Sequence, residues 1–146
     1  MQSRFELFTL LISRLSKEIK KIKTKETEEY CLSSPHVIII YFLHKYNGMT
    51  LKELCDACSE DKASVSRSLD ALRKKGLINS QNNNHYKNKL SLNEQGCLVA
   101  TKLCKKIDTF VEIASSGIAE EDRKVMYSCL NIIYQNLKNV SDKYED

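Results

Sequence analysis

Residues 61–78 have the sequence DKASVSRSLDALRKKGLI, an amphipathic pattern with its own start and stop signals. Asp61 is a typical N-terminal capping residue, and Gly76 is a typical residue at which a helix ends. Aliphatic residues at helical spacing predict one buried face: Val65, Leu69 and Leu72. The opposite face is predicted to be exposed, because its residues are mostly polar: Ala63, Arg67, Asp70 and Lys74. Two serines flank this face: Ser64 and Ser66. We therefore expect a short helix that presents polar side chains to solvent.

The preceding residues 50–58, TLKELCDAC, predict a second short helix. Thr50 and Glu53 form a capping box at its start. Leucines and cysteines then fall at i, i+3, i+4 and i+7 on one helical face: Leu51, Leu54, Cys55 and Cys58. Because the cysteines share the stripe of the leucines, we expect them to pack in the core.

The Cys-x-x-Cys spacing of this helix is also found in redox dithiols and in zinc sites. A zinc site would need about four ligands, and the sequence has no second Cys-x-x-Cys and no His pair. A thioredoxin-type dithiol normally follows a strand in a βαβ unit, whereas this pair lies inside a predicted helix-turn-helix. The spacing therefore favours core packing over a dithiol or metal site.

The residues after the second helix predict a β-hairpin. The segments LINS (77–80) and KLSL (89–92) have strand character, and the polar, Asn-rich QNNNHYKN joins them. Two short helices followed by a hairpin are typical of a winged helix-turn-helix, whose second helix enters the DNA major groove. Residues 62–89 also contain seven basic residues and one acidic residue, although the whole chain has a net charge of only +4. This local basic patch is typical of a DNA-binding surface.

Long helices are predicted on both sides of this segment. A stripe of apolar residues at alternating spacings of 3 and 4 runs along the first: Phe5, Phe8, Ile12, Leu15, Ile19 and Ile22. A second apolar face contains Leu7, Leu10 and Leu11, so this helix needs two packing surfaces, and one could belong to another subunit; a helix in the chain's own core is the alternative. Residues 34–48 predict another helix, with Ser34 as its cap and Pro35 as its first residue.

The C-terminal half predicts two further helices. Asn93 is the expected cap of the first, whose apolar stripe contains Val99, Leu103, Ile107, Phe110 and Ala114, and Gly117 closes it. The last is expected from about Ala119 to Val140. Only one Pro and four Gly occur among 146 residues, which suits a mainly helical fold. The N-terminal sequence has neither a signal-peptide cleavage site nor a membrane span, which predicts reduced thiols in a cytoplasm.

Residues 50–78, together with LSLNEQG (90–96), resemble the MarR (multiple antibiotic resistance regulator) family of bacterial transcription regulators. The resemblance implies a mainly α fold with a small β-hairpin, in one domain spanning 1–146. Its winged helix-turn-helix would occupy about 34–93, and its dimerisation helices about 3–26 and 94–140. It also implies a homodimer bound to a pseudo-palindromic operator in double-stranded DNA. A small aromatic effector would bind between the dimerisation helices and the DNA-binding lobe, drawing on the first, second and fifth helices.

The resemblance implies the DNA-binding residues as well. Four of them would lie at or near the major groove: Lys62, Ser64, Ser66 and Arg67. A fifth, Lys74, would contact a phosphate. The family's wing usually carries Asp-x-Arg, but those positions fall near Asn84 and Tyr86 in this chain. Three neighbouring residues could substitute electrostatically: His85, Lys87 and Lys89.

Other classes of function are less consistent with these residues. The chain has no nucleophile–base pairing, no Gly-rich phosphate loop and no paired catalytic carboxylates, so we expect no enzyme activity and no cofactor. His36 could form a partial metal site with Cys31 and with Glu28 or Glu29, but the fifth helix offers no convincing partner set, so we expect no metal site. A redox-sensing regulator, a thiol-based enzyme and a dimeric interaction module without DNA binding remain the alternatives.

Overall fold

The computed structural model describes residues 3, 4, 6–79 and 89–144. A π-helical turn, Glu6–Leu10, leads into α1 (Leu11–Glu26), and a 3-10 turn, Glu28–Tyr30, follows it. Five further α-helices come next in the described part: α2 (Ser34–Tyr46), α3 (Leu51–Cys58), α4 (Lys62–Lys74), α5 (Glu94–Ala114) and α6 (Glu120–Ser141). The mainly helical fold class is therefore confirmed. No described helix is long and apolar enough to span a membrane.

Three predicted helix starts are confirmed by hydrogen bonds. The Glu53 backbone N–H donates to Thr50 Oγ1 at 3.2 Å, and the Thr50 N–H donates to the Glu53 carboxylate at 2.7 Å. Asp61 Oδ1 accepts from the Ser64 N–H at 2.8 Å at the start of α4. The Asn93 side chain caps α5 in the same way, with a 2.8 Å bond. Each cap satisfies a backbone donor that the first helical turn would otherwise leave unpaired.

The start of α2 differs from the prediction by one residue. Ser33, not Ser34, has the extended backbone of an N-cap, and Pro35 is the second helical residue. The capping box is completed by the imidazole of His36, whose Nδ1 accepts from the Ser33 N–H at 3.1 Å. Two adjacent serines offer the same chemistry, so the sequence did not distinguish them. The helical state of the β-branched segment that follows is confirmed.

A single apolar core holds α2, α3 and α4 together, and α5 adds residues to it. The buried residues of these four helices are Val37, Ile39, Ile40, Leu43, Leu51, Leu54, Val65, Leu69, Leu72, Val99, Ala100 and Leu103. Cys55 and Cys58 are half-buried and pack against this core, as their shared stripe predicted. The core fixes the rotation of α4 about its own axis, because its three buried residues recur on one side.

The segment that follows α4 is hydrogen-bonded directly to the start of α5. Asn93 donates its backbone N–H to the Leu77 carbonyl at 3.1 Å and its side-chain amide to the Gly76 carbonyl at 2.7 Å. Gly96, in the first turn of α5, is buried so close to the Leu77 backbone that any Cβ would overlap the Leu77 carbonyl oxygen. Glycine at this position lets the two backbones approach each other.

The predicted hairpin is described only at its base. Two isolated antiparallel bridges join Met49 to Leu90 and Ile78 to Leu92, and no longer strand occurs among the described residues. The expected turn, 81–88, lies outside the described residues, so the hairpin stays a prediction.

Two compact units divide the chain, and the division falls within α5, between Ile107 and Asp108. In the second unit, Arg123 donates to Ser115 Oγ at 3.1 Å near the turn that leads into α6. Several large apolar residues of α6, in the second unit, are exposed: Val125, Tyr127, Leu130, Ile132, Tyr134, Leu137 and Val140. The expectation of one domain over 1–146 stays a prediction.

The first unit also has an exposed apolar helix. Large apolar residues of the π-helical turn and α1 are 36% to 52% exposed: Leu7, Phe8, Leu10, Leu11, Ile12, Leu15, Ile19 and Ile22. Phe5, which begins the predicted stripe, lies outside the described residues. Within this chain the stripe therefore does not form a core.

Candidate nucleic-acid interface

The exposed face of α4 carries most of the predicted DNA-binding residues. Because Val65, Leu69 and Leu72 are buried, the other side of the helix is turned to solvent. Three of the predicted residues are exposed there: Lys62, Arg67 and Lys74. The two predicted serines, Ser64 and Ser66, are half-exposed. The structure thus places these five residues on one short helix, and their contact with DNA stays a prediction.

The N-terminal turn of α4 contains a hydrogen-bonded chain of three side chains. Arg67 Nη2 donates to Ser64 Oγ at 3.2 Å, and this hydroxyl donates to Asp61 Oδ2 at 3.3 Å. The Ser64 backbone N–H lowers the pKa of Asp61 by donating to its carboxylate, and the Arg67 charge adds to this. The carboxylate is therefore ionised at neutral pH. From the sequence, Asp61 was predicted only as a helix cap, although Asp, Ser and Arg at i, i+3 and i+6 could have indicated this chain of hydrogen bonds.

The C-terminal end of α4 has a different charge arrangement. Arg73 Nη1 contacts Asp70 Oδ1 at 2.8 Å, one turn back on the same helix. The only acidic residue of the basic segment is thus paired with one of its arginines. Lys74, the next residue along the chain, is exposed.

The wing residues are described only in part. His85 and Lys87, and also Asn84 and Tyr86, lie outside the described residues. Lys89 is described and exposed. It precedes Leu90, whose backbone is joined to Met49 by hydrogen bonds of 2.7 and 3.0 Å.

A cavity of about 480 Å³ lies beside α4. It is lined by Lys20 of α1, by His36 near the start of α2, by Glu60 and by Arg67. Burial lowers the pKa of His36, and the positive charge of Lys75 adds to this effect. Two basic side chains and one acidic side chain thus face a cavity beside a neutral imidazole. Residues of α4 line this cavity, whereas the family resemblance implied that an effector pocket would be lined by the first, second and fifth helices. Lys20 and His36 were not predicted from the sequence as residues of such a pocket.

The thiols of the Cys-x-x-Cys pair are poor nucleophiles. Burial raises the pKa of Cys58 to about 11 and also raises that of Cys55. Thiols react as thiolates, so burial works against redox chemistry at this pair. Across the described ranges, His, Cys, Asp and Glu side chains form no group of three or more that could hold a metal ion.

Comparison with known proteins finds a family match over part of the chain and a similar fold in solved structures. Residues 32–84 match the sequence model of the MarR family. The chain is similar to the structure of an S. aureus MepR–DNA complex, with 20% identity, a TM-score of 0.80, and coverage of 92% of this chain and 99% of that one. It is similar to a MarR protein from Peptoclostridium difficile, with 18% identity, a TM-score of 0.81, and coverage of 95% and 94%. No curated protein matches the sequence.

Proposed function

The match over residues 32–84 confirms the resemblance of this chain to the MarR family, and from that premise we propose that the protein is a homodimeric, DNA-binding transcription regulator. We further propose that it is a cytoplasmic repressor released by a small-molecule effector. The observation that carries the proposal is the exposed polar face of α4, whose opposite face is held in the core.

The residues of α4 take separate roles in this proposal. Lys62, Ser64, Ser66 and Arg67 lie at or near the base edges of the major groove, and Lys74 contacts a phosphate. Base contacts give sequence preference, whereas phosphate contacts hold the protein in register on the duplex. In the wing, His85, Lys87 and Lys89 would supply positive charge in place of the family's arginine.

The dimer and the effector have their own support. Large apolar residues are exposed along α1 and, separately, along α6, and such surfaces often mark sites where protein chains associate. The cavity beside α4 supports effector control because Arg67 lines it and is also proposed to read DNA. A ligand there would act only by favouring one state of the protein over another.

The proposal is tested by selecting sheared genomic DNA of the host on the purified protein at about physiological salt. Enrichment of a few inverted repeats, with half-sites about one helical turn apart, is the expected result for a sequence-reading dimer. Retention of DNA without any common motif would contradict the proposed function.

A second candidate is a dimeric interaction module that has lost DNA binding. The observation in its favour is Asn84 and Tyr86, where the family's wing usually has Asp-x-Arg. This candidate predicts no salt-dependent affinity for DNA, so a salt titration of binding distinguishes the two.

A further inference from the structure

We propose that Asp61 and Ser64 position the guanidinium of Arg67, so that the N-terminal turn of α4 sets the sequence preference of the protein. This inference rests on the proposed DNA-binding function. It assigns Ser64 a role that acts through Arg67, and it adds Asp61, which is otherwise only a helix cap.

The direction of the hydrogen bonds carries the argument. A serine hydroxyl has one proton, and here it is donated to Asp61 Oδ2 at 3.3 Å. The lone pairs of the same oxygen are therefore left to accept from Arg67 Nη2 at 3.2 Å. The other carboxylate oxygen of Asp61 is held by the Ser64 backbone N–H at 2.8 Å. The result is a relay from carboxylate to hydroxyl to guanidinium within two helical turns.

Such a relay suits a base-reading arginine. An unrestrained arginine must lose much rotamer freedom when it binds, and a planar guanidinium that is already oriented loses less. The bond to Ser64 uses one of the five N–H donors of Arg67, which leaves enough for a bidentate contact with a guanine edge. The pre-set orientation would favour the correct base over others.

Because Asp61 is negatively charged, its removal should change the affinity for DNA in general and the preference for one DNA sequence in opposite directions. A carboxylate in a DNA-facing turn repels phosphates, so its removal should strengthen binding to every sequence. If Asp61 also orients Arg67, the same change should weaken the preference for the correct sequence. A residue that served only as a cap would not produce these opposite effects.

Asp61→Asn and Ser64→Ala test the relay while keeping the helix cap. Asparagine caps helices about as well as aspartate, but its amide nitrogen cannot accept from the Ser64 hydroxyl. In Ser64→Ala the backbone N–H that the cap uses is still present. Unfolding temperatures of the variants verify that the fold is retained.

The measured quantity is the ratio of dissociation constants for a mixed-sequence duplex and for a genomic inverted repeat selected by the wild-type protein. We expect each variant to lower this ratio by roughly two- to tenfold, the scale of one hydrogen bond. Asp61→Asn should bind the mixed-sequence duplex at least as tightly as the wild type does. Ser64→Thr restores the hydroxyl and should restore the ratio, and Ser68→Ala is the matched control on the same helix, expected to keep the wild-type ratio.

The same measurements in an Arg67→Ala background identify the route of the effect. There, neither Asp61→Asn nor Ser64→Ala should lower the ratio further. Additive losses would overturn the inference, because they would mean that these residues act independently of Arg67. An unchanged ratio in Asp61→Asn would also overturn it while leaving the proposed function intact. A wild-type ratio of one would instead overturn the proposed function, and the inference with it.

Discussion

Arg67 and Lys74 are both exposed on α4, yet we expect their loss to change DNA binding in different ways. Arg67→Ala should weaken binding to the selected inverted repeat by about 1–3 kcal/mol, because a base contact is lost, and should relax the preference at that base pair. Lys74→Ala should weaken binding to all sequences alike and lower the salt slope by about 1, because one phosphate contact is lost. Fluorescence anisotropy at several salt concentrations measures both effects. Equal binding by Arg67→Ala and the wild type would remove Arg67 from the base-reading face.

Cys58 should react slowly with alkylating reagents at neutral pH. Its pKa is raised to about 11 by burial, so little thiolate exists at pH 7, and the thiolate fraction should rise about tenfold per pH unit below the pKa. Iodoacetamide labelling followed by mass spectrometry should therefore modify the exposed Cys31 before Cys58. Protein unfolded in urea provides the control in which both sites react. Labelling of Cys58 as fast as Cys31 in the folded protein would contradict its packing and revive the redox-sensing alternative.

At the scale of elements, the junction of α4 and α5 depends on Gly96. A glycine-to-alanine change inside a helix normally stabilises it by about 1 kcal/mol. Here we expect Gly96→Ala to destabilise the protein by about 1–3 kcal/mol, because the new Cβ would overlap the Leu77 carbonyl oxygen and push the start of α5 away from the segment that follows α4. Urea unfolding monitored by circular dichroism measures the change.

The neighbouring position provides the control for this prediction. Cys97 lies on the exposed side of the same turn, so Cys97→Ala should change the free energy of unfolding by no more than about 0.5 kcal/mol. A stabilised Gly96→Ala variant would show that the backbones of Gly96 and Leu77 do not approach as closely as described.

The helix caps and the cavity show which structural features could be predicted from the sequence. Thr50 with Glu53, and Asp61 with Ser64, were predictable because a helix cap depends on residues only three positions apart. The exact cap of α2 was not, because Ser33 and Ser34 are chemically equivalent and the choice depends on packing. The cavity beside α4 was missed for a related reason. Its lining residues come from helices far apart in sequence, and no local spacing relates Lys20 to Arg67.

At the scale of the whole molecule, the apolar surface of α1 predicts association of two chains. Leu15, in the middle of the stripe, is 51% exposed. Leu15→Glu should place a charge in the proposed interface and shift the protein from dimer to monomer, because burying an unpaired charge costs several kcal/mol. Sedimentation equilibrium measures the mass, which should be twice the chain mass for the wild type. Ser16→Glu introduces the same charge at the next exposed position and should stay dimeric.

The dimer prediction also connects to DNA binding. Leu15→Glu should lose affinity for an inverted repeat far more than for a single half-site, because only a dimer can contact both halves at once. A variant that sediments as a monomer yet binds the inverted repeat as tightly as the wild type would contradict this link.

The exposed stripe of α1 has a consequence for gene control. If the chain pairs through this surface before it occupies an operator, then at low abundance the amount of pairs grows as the square of the amount of chain, by mass action. Halving expression of the protein would then cut the operator-competent form about fourfold. Target genes would respond to the dosage of their regulator more steeply than a monomeric regulator would allow.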